Sequence, residues 1–167
     1  RMAFLDFFQK KTAVRADAKG VVYAPLKGRR LPLEQVSDTA FSQKLLGDGI
    51  AIIPEADTVF APVSGKVVSL FETHHAIGIR SKDGMEILIH IGIDTVELGG
   101  KGFRSFVNKG EQVSLGQKLI TFDREQIKAA GYDDTTMLLM LNANDWGRLE
   151  INQTDCLEPS MQALWFV

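Results

Sequence analysis

Three histidines, His74, His75 and His90, are the residues whose types and spacing best suit chemistry. A neutral imidazole nitrogen is a good nucleophile near neutral pH, because its reference pKa is about 6.5. It can accept a phosphoryl group as a labile phosphoramidate. A second imidazole can donate a hydrogen bond to a phosphoryl oxygen, and a threonine hydroxyl can orient that second ring. Such a transfer depends on alignment and on donors aimed at the equatorial oxygens. A histidine pair is equally compatible with metal binding, adventitious zinc at His75 and His90 included, or with a solvated or structural role. Residue types alone leave these readings open.

Two strands must position the histidines. In Met85 to Ile91 the alternation puts Ile87, Ile89 and Ile91 on one face and Glu86, Leu88 and His90 on the other. The isoleucine row is the core candidate, so His90 looks out from the opposite side. In Thr73 to Ile79, Thr73, His75, Ile77 and Ile79 share a face, and His74 points away, as a solvated side chain, if the segment is extended. Asp83-Gly84 joins the two runs as a hairpin. Pairing about it sets positions near 77 to 80 against 87 to 90. His75 and His90 then meet if the chain curls at the end of that ribbon.

The surrounding chain reads mostly as short strands: Val21–Tyr23, Gly49–Ile53, Thr58–Ala61, Lys66–Phe71, Ala76–Arg80, Lys118–Phe122, Thr136–Leu141 and a closing strand near Met161–Phe166. Turn residues such as Pro25, Pro54, Pro62, Gly110 and Gly116 punctuate them. This pattern predicts an all-β antiparallel sandwich or barrel. Two short helical pieces are expected. One follows Asp38 as N-cap through Thr39 to Leu46 and stops at Gly47; the other follows Asp123 through Arg124 to Ala130 and stops at Gly131. Gly47, Gly49, Gly78 and Gly92 read as backbone devices for turns or close approach.

The 167 residues fit one domain, expected over 21–167 after an N-terminal tail over 1–20. In that tail Phe4, Leu5, Phe7 and Phe8 share one helical face, followed by Lys10, Lys11 and Arg15. The pattern suits either weak contact with a membrane surface or docking on the domain itself. A content of 45% hydrophobic and 24% charged residues excludes a disordered chain. No apolar run approaches the roughly 18 residues of a membrane helix. Residues 1–30 carry eight Lys/Arg and two Asp/Glu, whereas the rest is net acidic and unsuited to nucleic acid. The single cysteine, Cys156, excludes a disulfide framework and reads as a structural thiol. The expected location is the cytoplasm, as a whole protein or as the cytoplasmic part of a larger one, with a peripheral foothold at the inner face of the membrane.

Several blocks resemble one family. They are Leu45-Leu46-Gly47-Asp48-Gly49-Ile50-Ala51-Ile52, Ala61-Pro62-Val63-Ser64-Gly65, Phe71-Glu72-Thr73-His74-His75-Ala76-Ile77-Gly78-Ile79 and Ile89-His90-Ile91-Gly92-Ile93-Asp94-Thr95-Val96, extended by Gly110–Val113 and Gly116–Leu119. Together they are similar to enzyme IIA of the glucose family, the phosphocarriers of the bacterial phosphoenolpyruvate-dependent sugar phosphotransferase system. The match runs from about Val21 to Asn142. The resemblance implies a β-sandwich or barrel with short helical turns, and no cofactor. It implies that His90 is phosphorylated, that His75 stabilises the phosphoryl group and that Thr73 orients His75. The donor it implies is the histidine-containing phosphocarrier protein, and the acceptor is the cysteine of an enzyme IIB domain. Asp38 and Asp94 match acidic positions beside the site, suited to arginines of a partner. Phe41, Leu45, Leu46, Phe71, Leu88 and Val96 match an exposed apolar patch around the histidines, which would dock partners and exclude water. Family members also act on regulatory partners according to phosphorylation state.

Rival readings remain. A metal-dependent hydrolase would build a His/His/Asp site, although no zinc-like ligand spacing or general base stands out. A biotinyl or lipoyl carrier would need an exposed hairpin lysine between the halves, which is missing. His74, the basic residues Lys27, Arg29 and Arg30, and the segment from Asp145 to Val167, with Trp146 and Trp165, depart from the family pattern.

Overall fold

A computed structural model describes residues 18–167. The amphipathic reading of the tail therefore falls outside the described residues, as does the membrane contact inferred from it. Among the described residues no helix is long and apolar enough to cross a membrane.

Among the described residues fourteen strands run in chain order. They are β1 (Val21–Tyr23), β2 (Gly28–Pro32), β3 (Asp48–Pro54), β4 (Thr58–Phe60), β5 (Gly65–Leu70), β6 (Ala76–Ser81) and β7 (Glu86–Ile91). After them come β8 (Phe103–Ser105), β9 (Gln112–Val113), β10 (Lys118–Phe122), β11 (Thr136–Met140), β12 (Leu149–Ile151), β13 (Cys156–Leu157) and β14 (Gln162–Phe166). Among the described residues the α-helices are α1 (Thr39–Ser42) and α2 (Arg124–Ala129). An eight-stranded sheet runs in the order β13-β2-β3-β11-β7-β6-β5-β9, and two three-stranded sheets run β1-β14-β12 and β4-β10-β8. The pairs are antiparallel. This is the expected all-β class.

Alternation explains how the layers meet. Ile50, Ile52, Ile77, Ile79, Ile87, Ile89, Ile91, Leu138 and Met140 of the large sheet are buried with Val22, Val59, Phe103, Leu119, Phe122 and Leu164 of the small sheets. The isoleucine row of β7 is thus the core face that alternation predicts. The intervening residues of the large sheet build a second, smaller core on its other side. There Ala51, Met137 and Leu139 pack with Leu33, Val36 and Phe41, and Leu88 and Ile93 close the edge. A 3-10 turn over Leu33–Gln35 and helix α1 cover it. His90 belongs to this second face, directly opposite Ala76 on β6 and Met137 on β11.

Several expectations need correction. Phe41 is buried at 4% exposure, because the face expected to meet solvent lies under α1. Leu88 is only half-exposed and packs on the same cluster. Helix α1 ends early, at Ser42, and Lys44 rather than Gly47 takes the left-handed conformation, φ 58°. Lys44 also reaches Glu34 at 2.9 Å and Asp48 at 3.4 Å, tying the helix end to its surroundings. Cys156, read as a structural thiol, is exposed on β13 beside Arg29 of β2. Strands β2, β8, β9, β12 and β13 were not expected. By contrast, α2 follows its reading: Asp123 accepts from the Gln126 N–H at 3.0 Å, and Gly131 turns left-handed after it, φ 89°.

Candidate functional site

The β6–β7 hairpin carries the site. Ile77 pairs with Ile89 and Arg80 with Glu86, so the register matches the expected pairing to within a residue. The last bond of this ladder runs from the Ile91 N–H to the His75 carbonyl at 2.7 Å. Beyond it the chain is not extended. Phe71 to His75 form the turn between β5 and β6, and His74 has φ 57°. His74 is half-buried, and strand alternation does not govern it. The curl required for contact is present: the His75 and His90 rings lie 4.9 Å apart, nearly perpendicular at 83°.

Each ring is held from behind. The carbonyl of Gly92 lies 2.9 Å from Nδ1 of His90. A carbonyl oxygen can only accept, so Nδ1 carries the proton, and in the neutral ring Nε2 keeps its lone pair. Thr73 Oγ1 lies 2.6 Å from Nδ1 of His75, which leaves Nε2 as that ring's other functional nitrogen. Phe41 stands against His90 with centroids 5.0 Å apart, and Phe71 meets His75 edge-on at 5.3 Å. Phe103 of the main core reaches His75 at 6.5 Å.

The loop after β7 explains the Gly92 contact. Gly92 has φ 84° and Asp94 φ 59°, and they turn the chain into a 3-10 segment over Thr95–Leu98. The Gly92 N–H donates to Thr135 and the Ile93 N–H to Asp133, both at 2.9 Å. The buried Thr95 hydroxyl donates to the Ile91 carbonyl. The carbonyl that faces His90 therefore sits in a fixed frame.

Burial disfavours a charged imidazole at both positions. His75 is 2% exposed, and burial, with a smaller contribution from His90, pushes its pKa down to about 4. Burial also lowers the pKa of His90, opposed by the Gly92 carbonyl and by the carboxylates of Asp38 and Asp94. The site thus holds two neutral rings at pH 7. Asp38 also caps α1, accepting from the Ala40 N–H at 2.8 Å, so one carboxylate both starts the helix and acts on His90.

Of the apolar residues expected at the surface, Leu45, Leu46, Phe71 and Val96 are exposed, at 69%, 46%, 45% and 49%. They lie on the segments that carry or flank the site: the end of α1, the turn of His75 and the loop after His90. Among the described residues, no three His, Cys, Asp or Glu side chains are grouped to hold a metal ion, so a His/His/Asp site is not assembled. Two features were missed. The Gly92 carbonyl as a partner of His90 has a sequence signal, a glycine two residues after a strand-borne histidine. Phe103 behind His75 has none, because β8 is too short to read.

Residues 20–146 match the family model described as phosphoenolpyruvate-dependent sugar phosphotransferase system, EIIA 1. The chain is 41% identical over 150 residues to the PTS system beta-glucoside-specific EIIBCA component of Bacillus subtilis (strain 168), covering 90% of this chain and 25% of that protein. It is 48% identical over 129 residues to the beta-glucoside-specific EIIBCA component of Dickeya chrysanthemi, covering 77% of this chain and 20% of that protein. It is also similar to the solved structure of glucose permease IIA from Mycoplasma capricolum, with a TM-score of 0.82, 40% identity and coverage of 86% and 93% of the two chains. The chain spans about a quarter or less of the curated relatives it matches. With the model covering most of the chain, and with the β-sandwich and paired histidines in place, the protein belongs to the EIIA 1 family of the phosphoenolpyruvate-dependent sugar phosphotransferase system.

Proposed function

We propose that this chain is a phosphocarrier for sugar uptake. It accepts a phosphoryl group on His90 from the histidine-containing phosphocarrier protein and passes it to the cysteine of an enzyme IIB domain. Nε2 of His90 attacks phosphorus as the donor's N–P bond breaks. The Nε2–P bond then breaks as the acceptor's S–P bond forms. The proton stays on Nδ1, donated to the Gly92 carbonyl throughout, so neither step needs proton transfer at this nitrogen. His75 donates from Nε2 to a phosphoryl oxygen, with its tautomer set by the Thr73 hydroxyl donating to Nδ1.

The observation that carries this reading is the perpendicular contact of two neutral rings, with Nδ1 of His90 committed to Gly92. A nucleophile of unperturbed or lowered basicity keeps its lone pair available at pH 7. Family membership and the EIIBCA names of the relatives support the acceptor class. Leu45, Leu46, Phe71 and Val96 serve as the docking face, with Asp38 and Asp94 facing partner cations. Phosphorylation places negative charge inside that face and so selects among regulatory partners. The work takes place in the cytoplasm, in a single domain over 21–167 that follows a tail over 1–20.

A reconstituted relay tests the proposal. With phosphoenolpyruvate, enzyme I and the small phosphocarrier, the protein gains one acid-labile, alkali-stable phosphate. His90→Gln abolishes labelling. His75→Gln still labels but does not pass the group on. Full labelling of His90→Gln would overturn the assignment.

A further inference from the structure

We infer that His74 is a positioning residue that acts through its backbone: its left-handed conformation brings the Thr73 hydroxyl onto His75 and so sets the tautomer of that ring. The inference rests on the reading above that His75 supports phosphoryl transfer from His90. The turn has a defined construction. The Phe71 N–H closes its mouth onto the Ala76 carbonyl at 3.1 Å, and the His74 N–H donates to the Phe71 carbonyl at 2.8 Å. His74 then takes φ 57°, and the next residue rejoins the ladder through the bond between the Ile91 N–H and the His75 carbonyl. A tight turn followed by a left-handed residue is a regular way to close a short hairpin loop.

The consequence falls on the flanking side chains. In an extended strand residues two apart stand about 6.5 Å apart with parallel side chains, so a short Thr–His bond needs the two side chains to tilt toward each other. Here Thr73 Oγ1 and His75 Nδ1 are 2.6 Å apart across His74. Among the described residues outside glycine, positive φ occurs only at Lys44, His74, Asp94 and Ser160, so the feature is local to this turn rather than general. Histidine, like asparagine, tolerates the left-handed region better than most residues, whereas a β-branched side chain is strongly disfavoured there. The backbone hydrogen bonds at Phe71 and His74 hold the turn, and the His74 imidazole is half-buried beside them.

The test compares His74→Val, His74→Ala, His74→Gly and His74→Asn in the full chain. Nitrogen-15 spectra of the imidazoles report the His75 tautomer without any phosphoryl donor. In the wild type Nδ1 of His75 carries the signature of an acceptor. His74→Val shifts that signal toward the other tautomer and lowers onward transfer from the phosphorylated protein by about tenfold or more, with uptake at His90 retained. His74→Gly and His74→Asn restore both readouts. The milder His74→Ala shifts the tautomer signal part-way and decides the matter if the valine variant does not fold. An unshifted signal in the valine or alanine variant overturns the inference. So does a glycine variant as impaired as valine, which would assign the work to the imidazole. Failure of the wild type to label at His90 would instead defeat the phosphocarrier reading, and the tautomer comparison would still judge this one.

Discussion

Gly92 accepts the Nδ1–H of His90 across 2.9 Å, and it does so from a backbone held at φ 84°. A Cβ at this position would lie 2.3 Å from Cγ2 of Thr95 and 2.9 Å from the Asp133 carbonyl oxygen. Thr95 is buried and bonded to the Ile91 carbonyl, so it cannot swing aside. The geometry that fixes the tautomer of His90 is therefore available only to glycine.

Gly92→Ala accordingly costs about 2–4 kcal/mol of stability, from backbone strain and overpacking together. Urea denaturation measures it. Labelling at His90 falls in the same variant, because the ring loses its anchor. A cost below about 0.5 kcal/mol, the ordinary range of a surface change, would show that the loop rearranges freely.

Phe41 and Leu45 divide the apolar residues near the site into two kinds. Phe41 is buried at 4% exposure with its ring tilted against His90, whereas Leu45 is 69% exposed. Phe41→Ala costs about 3–5 kcal/mol by cavity formation. It also raises the pKa of His90 toward the ordinary value, because burial is the main cause of the lowering. Leu45→Ala changes stability by less than about 0.5 kcal/mol and instead weakens transfer with the phosphocarrier protein. Denaturation and a titration of the His90 ring by NMR separate the two. Equal destabilisation by both variants would contradict this division.

These residues also mark what could be read in the chain. The direction of His90 was legible because β7 alternates without interruption, and its isoleucines are buried as that pattern requires. The closeness of His75 was legible only as a condition, since it depends on the turn that His74 makes and no periodicity records a left-handed residue. Phe41 was misplaced because its exposure rested on the resemblance alone, and nothing local in the chain records that α1 packs it onto Ala51, Met137 and Leu139. The early end of α1 at Ser42 is likewise set by contacts that no local pattern records. A left-handed lysine, seated between Glu34 and Asp48, did the work expected of Gly47. The strands that escaped notice are short, such as β9 and β13, or charged, such as β2, and long-range pairing rather than local pattern makes them strands.

Asp38 joins the fold of α1 to the electrostatics of His90. Its carboxylate accepts from the Ala40 N–H at 2.8 Å, and its charge favours the protonated form of His90. Asp38→Ala therefore loses about 1 kcal/mol of cap energy and lowers the pKa of His90 further. Asp38→Asn keeps the cap and lowers the pKa alike. NMR titration of the two variants beside denaturation curves checks both effects. An unchanged pKa in both would remove the carboxylate from the site's electrostatics.

Acid sensitivity gives a separate measure of the buried pair. Both histidines have folded-state pKa values below the ordinary 6.5, and that of His75 is about 4. In the unfolded chain they protonate near 6.5, so between there and about 4 the unfolded state binds more protons. Their neutral burial thus contributes full stability above that window, and the contribution is lost as pH falls through it. For His75 the loss approaches about 1.4 kcal/mol per pH unit within that window. Carboxylates add their own slope lower down, so the informative quantity is a difference between proteins. Stability measured by urea at about pH 7.5 and about pH 5 falls less in His75→Gln than in the wild type, because glutamine cannot take up the proton. The same gap in both proteins would mean that His75 is as readily protonated in the folded protein as in the unfolded chain, and the neutral donor proposed for this ring would be lost with it.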